Sequence, residues 1–113
     1  MEISIRQEKT CTVVTVAGRL DTGAIQEFEQ NTKAMGTKGS GKTVLDLGGL
    51  DYIASSGLRS LLGLKKSLQG EGCGLAICGL RGFPREVFQV SGFEMVFPLY
   101  DDVASAVKGL ESD

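Results

Sequence analysis

Polar and apolar residues alternate at the start of the chain, a pattern that indicates β-strands with one covered face. Ile3 and Ile5 lie between polar residues, and a second apolar segment runs from residue 11 to residue 17 after the polar residues 8–10. Two strands joined by a short polar turn predict a β-hairpin. The segment 18–21, Gly-Arg-Leu-Asp, is predicted to close the second strand.

The spacing of apolar residues then changes to that of a helix. Asp21 or Thr22 is expected to cap this helix, because short oxygen-bearing side chains accept bonds from the free N–H groups of the first turn. Glu27 and Glu29 lie in the early turns, where the helix dipole favours acidic residues. The predicted inner face consists of Ala24, Ile25, Phe28, Thr32 and Met35.

The segment 43–69 combines a strand pattern, a turn with two serines and a helix pattern. An apolar run at 44–47, ended by Gly48 and Gly49, predicts a strand covered on both faces. Ser55 and Ser56 lie where the next helix begins, and one of them is expected to cap it. The apolar face of this helix is predicted to hold Leu58, Leu61, Leu62 and Leu68.

The remaining residues continue the alternation of strand and helix. They predict a buried strand at 74–78, a helix near Pro84 that ends at Ser91-Gly92, a last strand at 95–99 and a final helix that starts at Asp101-Asp102. The inward side chains of these two helices are predicted to be Val87, Phe88, Val90, Val103, Ala106, Val107 and Leu110. The whole pattern predicts an α/β fold, with a mixed, mostly parallel sheet, an N-terminal antiparallel strand and about four helices.

Composition narrows the class of protein. The 113 residues suit a single domain, 1–113. With 42% apolar against 23% charged residues, the chain is predicted to be folded. A net charge of −2 without a basic cluster argues against nucleic acid as the main partner and offers no basic membrane face. The sequence shows neither a signal peptide nor a membrane span, so we expect a cytoplasmic protein.

Residues suited to metal binding or catalysis are scarce. Cys11, Cys73 and Cys78 are an odd number of cysteines in a chain without histidine, so we interpret them as structural residues and expect no metal site. Without histidine the common general base is also absent, and no carboxylate pair or Cys-base arrangement is indicated by the spacing. We therefore expect neither an enzyme nor a bound cofactor.

Residues 36–43, GTKGSGKT, match the phosphate-loop formula G-x-x-x-x-G-K-[ST]. That motif requires a strand before the loop and a helix after it, so that backbone N–H groups and the helix N-terminus surround the phosphates. In this sequence a helix pattern precedes the motif and a strand pattern follows it. Nucleotide binding through Gly36–Thr43 is therefore a minor alternative, and the glycines are predicted to end a helix and form a connection.

Residues 46–59, DLGGLDYIASSGLR, together with the segment 18–21, resemble the STAS domain family of anti-sigma factor antagonists. The resemblance extends over the whole chain and implies the STAS fold. It also implies that Asp21 lies beside the serine turn. The partner-binding surface is expected to include Asp21, Tyr52, Ala54, Ser55, Ser56, Gly57, Leu58 and Arg59.

The resemblance further implies a regulatory switch. The unphosphorylated protein would bind an anti-sigma factor that is also a serine/threonine kinase and thereby release a sigma factor. Phosphorylation of Ser56, or alternatively Ser55, would break the complex, and a serine phosphatase would restore it. Ala54 stands where switch-type members commonly have Asp, which leaves open a non-switching scaffold or adaptor in stress signalling. We expect a monomer or a weak dimer.

Overall fold

The computed structural model describes residues 1–8, 10–33 and 41–111. The strands are β1 (Glu2–Glu8), β2 (Cys11–Leu20), β3 (Lys42–Ile53), β4 (Gly74–Cys78) and β5 (Leu99–Tyr100). The helices are α1 (Ile25–Thr32), α2 (Ser55–Gly70), α3 (Gly82–Ser91) and α4 (Val103–Glu111), with short 3₁₀ turns at Thr22–Ala24 and Phe93–Met95. Met35, predicted on the inner face of α1, lies outside the described residues.

The strands form one mixed sheet in the order β1-β2-β3-β4-β5. β1 pairs antiparallel with β2, and each of the other neighbouring pairs is parallel. The predicted α/β fold with an N-terminal hairpin is therefore confirmed. Because β2, β3, β4 and β5 run in the same direction, the segments that follow them all start at the same edge of the sheet.

Helices cover both faces of the sheet. α1, α2 and α3 pack on one face through a large apolar cluster that includes Phe28, Leu61 and Phe88. α4 packs on the other face through Ala106, Val107 and Leu110. A sheet buried on both faces explains why the central strands have nearly continuous apolar sequences. Within the described residues, no helix has both the length and the apolar character that a membrane crossing requires.

β3 is longer than predicted, because it continues through Gly48 and Gly49 to Ile53. A Cβ on Gly49 would lie 3.0 Å from the Cβ of Ala17 on the neighbouring strand. The pairing of β2 with β3 shows irregularities between Thr15 and Ala17 and between Gly18 and Arg19. The prediction that the two glycines end the strand is therefore wrong, because Gly49 allows a close approach to β2 and Gly48 a close approach to Gly79, just after β4.

The predictions for the end of α3 and for the last strand are partly wrong. Gly92 ends α3 in a left-handed conformation, φ 79°, as expected, but Val90 is 90% exposed. Met95 belongs to a 3₁₀ turn, and β5 starts only at Leu99. The cause is an aromatic cluster: Phe93 and Phe97 both pack against Phe88, with ring centroids 5.8 and 6.0 Å away.

The predicted caps at the start of α1 are also wrong. Asp21 precedes the 3₁₀ turn without a side-chain cap, and the backbone carbonyl of Asp21 accepts the bond from the Ala24 N–H at 3.0 Å. α1 itself follows Ala24. The side chains of Asp21 and Thr22 instead contact neighbouring residues at the edge of the sheet.

Candidate functional site

The end of β2 and the end of β3 meet at the carboxyl edge of the sheet. Leu20 pairs with Ile53, the last residue of β3, and the Ala54 N–H donates a hydrogen bond to the Leu20 carbonyl at 3.0 Å. This bond joins the segment before α2 to the end of the neighbouring strand. The prediction that the Asp21 region and the serine turn share one edge is therefore confirmed.

α2 begins at Ser55, and the residue at its N-cap position is Ala54, with an extended backbone (φ −87°, ψ 165°). Within the described part of the chain, no side chain caps this helix. The prediction that Ser55 or Ser56 acts as the cap is wrong, because both residues already lie inside the first helical turn. Ser55 is exposed, whereas Ser56 is partly exposed. The hydroxyls of these serines are thus not used to cap the helix.

The hydroxyl of Ser56 has a partner on the neighbouring turn. Ser56 Oγ lies 3.2 Å from Oγ1 of Thr22, and either oxygen can donate the hydrogen bond. Among the described residues, Ser55 has no hydrogen-bond partner for its side chain. The two adjacent serines therefore differ in that only the Ser56 hydroxyl is hydrogen-bonded, to Thr22. No feature of the sequence around residue 22 indicated this contact.

Gly57 and Leu58 are buried beneath the serine turn. A Cβ on Gly57 would lie 2.9 Å from the Leu20 carbonyl oxygen and 2.9 Å from Cγ1 of Ile53. Leu58 belongs to the main apolar cluster and is 9% exposed. These two residues, predicted as part of a partner-binding surface, hold the turn against the core and present little side-chain surface to a partner.

A stack of three side chains, with Tyr52 partly buried between the exposed Arg19 and Phe83, continues from the same edge. The Arg19 guanidinium lies 4.2 Å from the centroid of the Tyr52 ring, and the Tyr52 ring stacks on Phe83 with centroids 5.6 Å apart. Arg19 also pairs with Asp21 at 3.6 Å, and Phe83 is 49% exposed. Arg19 and Phe83 were missed in the sequence, because only the strand pairing and the start of α3 bring them to Tyr52.

A groove of about 680 Å³ lies between α1 and α2 next to the serine turn. Its walls include Ser56, Arg59, Glu29 and Lys33, and Arg59 is exposed. Glu29 accepts a hydrogen bond at 2.8 Å from the buried Ser60, which joins the two helices. Of the predicted site residues, Ser56 and Arg59 line this groove, whereas Asp21 and Tyr52 each contact Arg19.

The described part of the glycine-rich segment does not have the geometry of a phosphate loop. Residues 36–40 lie outside the described residues. Lys42 and Thr43, the last two residues of the motif, are the first two of β3, and Thr43 is 3% exposed. A strand therefore leaves the motif where a phosphate loop requires a helix N-terminus.

The cysteines have the surroundings of structural residues. Cys11 and Cys78 are buried in the cluster beneath α4, and Cys73 is partly exposed. Burial, with the nearby Asp46 and Asp102 carboxylates, raises the pKa of Cys78 to about 12, so its thiol stays protonated. Among the described residues, no group of three or more His, Cys, Asp or Glu could hold a metal ion.

The sequence and the structure of this chain are similar to those of known proteins. Residues 2–106 match the STAS domain. BtrV of Bordetella bronchiseptica, which carries the name of an anti-sigma factor antagonist, is 36% identical over 103 residues, covering 88% of this chain and 86% of BtrV. An anti-sigma factor antagonist from Mycobacterium paratuberculosis has a similar structure, with a TM-score of 0.88 at 24% identity, covering 97% of this chain and 93% of that one.

The anti-sigma factor antagonist SpoIIAA has the same fold. Its unphosphorylated form gives a TM-score of 0.81 at 18% identity, covering 99% of this chain and 98% of that one. SpoIIAA of Bacillus in the phosphorylated form gives 0.73 at 19% identity, covering 95% and 97%. The chain therefore belongs to the STAS domain family, and within it to the anti-sigma factor antagonists, a family of regulatory proteins.

Proposed function

We propose that this protein is a phosphorylation-controlled binding switch. Unphosphorylated, it binds an anti-sigma factor that is also a serine kinase and so releases a sigma factor. Phosphorylation of Ser56 ends that complex, and a serine phosphatase restores it. The observation that carries the proposal is the position of Ser56: a partly exposed hydroxyl in the first turn of α2, above a closed core.

The position of Ser56 suits phosphoryl transfer. In the reaction, Ser56 Oγ forms a bond to the γ-phosphorus of ATP, the bond from that phosphorus to ADP breaks, and the hydroxyl proton passes to a base of the kinase. The phosphate produced lies at the start of α2, where the positive end of the helix dipole and free N–H groups favour an anion. The chain can therefore carry the phosphate without losing its fold.

The effect of the phosphate is on the surface. It adds about −1.5 to −2 charges and the bulk of three oxygens. Asp21 lies at the same edge, and Asp51 is exposed on β3 shortly before the turn. A partner that fits closely over an uncharged hydroxyl would meet both the bulk and a charge that it does not compensate, which costs on the order of 2–5 kcal/mol at an interface.

The stack of Arg19, Tyr52 and Phe83, of which the two outer residues are exposed, supports a docking role for this edge. Tyrosine and arginine are enriched among the residues that dominate binding energy at protein interfaces. The stack is held by its own contacts, so the side chains lose little freedom on binding. We therefore include Arg19 and Phe83 with Asp21 and Tyr52 in the proposed partner surface.

Incubation with the cognate anti-sigma factor kinase and ATP, followed by mass spectrometry, tests the proposal. We expect phosphate on Ser56, none in a Ser56→Ala variant, and undiminished modification of a Ser55→Ala variant as the matched control. Phosphate found only outside residues 55 and 56, or no phosphate at all, would contradict the proposed switch.

The alternative is a non-switching scaffold or adaptor, and Ala54 is the feature that favours it. Its methyl group sits at the N-cap of α2 and offers no carboxylate for a kinase to recognise. The two functions differ in the binding of a Ser56→Asp variant to the partner. We expect this variant to bind much more weakly than the parent protein, whereas a scaffold would bind equally well in both forms.

A further inference from the structure

The serine turn is attached to the end of β2 by three different contacts. One is the backbone hydrogen bond from Ala54 to Leu20, and the second is the packing of Gly57 against Leu20. The third is the pair of hydroxyls of Thr22 and Ser56, 3.2 Å apart. The first two are set by the backbone and the core, so they also fix how far Thr22 lies from Ser56.

Phosphorylation changes what these two hydroxyls can do. In the unmodified protein either oxygen can donate the hydrogen bond. After phosphorylation Ser56 Oγ is an ester oxygen without a hydrogen, and the phosphate oxygens of the dianion can only accept. Thr22 is exposed, so its hydroxyl can turn toward them. Of the two side chains, only that of Thr22 then remains a donor.

We propose that Thr22 is a positioning residue that donates a hydrogen bond to a phosphate on Ser56. The inference rests on the proposed function for its biological meaning and extends it, because it assigns a role to a residue on a neighbouring turn. A hydrogen bond to an ionised acceptor is about twice as strong as one between neutral groups. Thr22 thus favours the doubly charged phosphate and holds it at the junction of β2 and α2.

The consequence is measurable on the phosphate itself. A donor that binds the dianion more strongly than the monoanion lowers the second pKa of the phosphate, which is ordinarily about 6. The charged groups of the surrounding elements include Asp21 and its partner Arg19 at the end of β2, Asp51 on β3, Glu29 and Lys33 on and after α1, and Arg59 on α2. These charged groups are unchanged in every variant below, so a difference in the phosphate pKa between the parent and a Thr22 variant reports the effect of the Thr22 hydroxyl.

The test uses the full chain with phosphoserine incorporated at position 56 during translation, and it measures the phosphate pKa by ³¹P NMR titration. In a Thr22→Val variant, which keeps the shape but loses the hydroxyl, we expect a pKa about 0.5 higher than in the parent. Thr22→Ser should restore the parent value. Thr10→Val, which removes an exposed threonine hydroxyl at the other end of β2, should leave it unchanged.

The outcomes separate the role of Thr22 from the switch itself. Equal pKa values in the parent and the Thr22→Val variant, with a folded protein confirmed by its amide spectrum, would overturn the inference. The titration needs no kinase, so it can succeed even if Ser56 is never modified by one. Conversely, kinase modification of Ser56 together with unchanged titration would retain the switch and remove Thr22 from it.

Discussion

α2 and α4 both begin at the carboxyl edge of the same sheet, yet they begin in different ways. At α4, Asp102 Oδ1 accepts a hydrogen bond from the Ser105 N–H at 2.8 Å. This bond is an ordinary helix cap. At α2 the N-cap residue is Ala54, and Ser56 binds Thr22 on another element. The Asp102 side chain stabilises the start of α4, whereas the Ser55 and Ser56 hydroxyls do not cap α2 and stay accessible at the surface.

What holds the start of α2 is packing. Gly57 has no room for a side chain, and Leu58 is buried in the main cluster. Because the turn depends on this closed core and not on a side-chain cap, the two serines can change chemically at little cost to the fold. We infer that the difference between the two helix starts reflects function at α2 and stability at α4.

The largest effect is expected from Gly57→Ala. The new methyl group would lie 2.9 Å from the Leu20 carbonyl oxygen, so the turn must shift. The free energy of unfolding should fall by about 1–3 kcal/mol. Gly63→Ala on the same helix is the matched control: a Cβ there meets no atom within 4 Å. A gain of about 0.5–1 kcal/mol is expected for this control.

Chemical denaturation of both glycine variants measures the contrast. Equal stabilities of the Gly57→Ala and Gly63→Ala proteins would show that packing does not hold this turn.

The second largest effect on stability is expected from introducing a side-chain cap at α2 like the one at α4. Ala54→Asp places an acceptor at an N-cap position with an extended backbone. It should raise the free energy of unfolding by about 1 kcal/mol. Ala54→Asn should give a similar gain without the charge. Denaturation curves decide the question, and a loss of stability in both variants would mean that the helix start has no room or no free donor for a cap.

Removing the cap of α4 should have a smaller and pH-dependent effect. The Ser105 N–H and the Ser105 hydroxyl hold the pKa of Asp102 below its usual range. A lowered pKa in the folded state means that this carboxylate stabilises the fold above its unfolded pKa, about 3.9, and that the contribution disappears as the pH falls through the folded value. The melting temperature of Asp102→Ala should therefore lie below that of the parent at pH 7 and approach it in acid.

Asp102→Asn is the control for the charge at this position, since its amide oxygen can accept the same bond at every pH. It should follow the parent near pH 7. A constant difference between Asp102→Ala and the parent from pH 7 down to pH 2 would rule out a contribution from the ionised carboxylate.

The smallest effects are expected at the serines. Ser55 is exposed, and Ser56 has one hydrogen bond at the surface. Ser55→Ala and Ser56→Ala should therefore each change the free energy of unfolding by less than about 0.5 kcal/mol. Denaturation of the purified variants is sufficient as a measurement. A loss of more than about 1.5 kcal/mol in either variant would show that the serines are needed for the fold and would weaken the comparison.

The order of strands and helices could be predicted from the sequence because apolar spacing follows the local period of each element. The alternation after residue 43 and the stop at Gly92 are both local signals of this kind. The family motif also indicated correctly that the segment after β2 meets the serine turn.

Features that depend on contacts between distant residues could not be predicted in this way. Gly48 and Gly49 looked like a strand end, because the close approaches of Gly49 to β2 and of Gly48 to Gly79 are invisible in a local pattern. The serines looked like helix caps, because serine is common at the N-cap position. Sequence alone does not show that both serines lie inside the first turn of α2, or that Ser56 has its partner on another element. The contacts of Thr22 with Ser56 and of Phe83 with Tyr52 became evident only in the tertiary structure.

The central claim is that a phosphate on Ser56 ends binding without unfolding the chain. The most direct measurement is titration calorimetry of the cognate anti-sigma factor with the unmodified protein and with the protein that carries phosphoserine at position 56. We expect the phosphate to weaken binding by about a hundredfold or more, while the amide spectrum shows the same fold. Equal affinity of the two forms would contradict it.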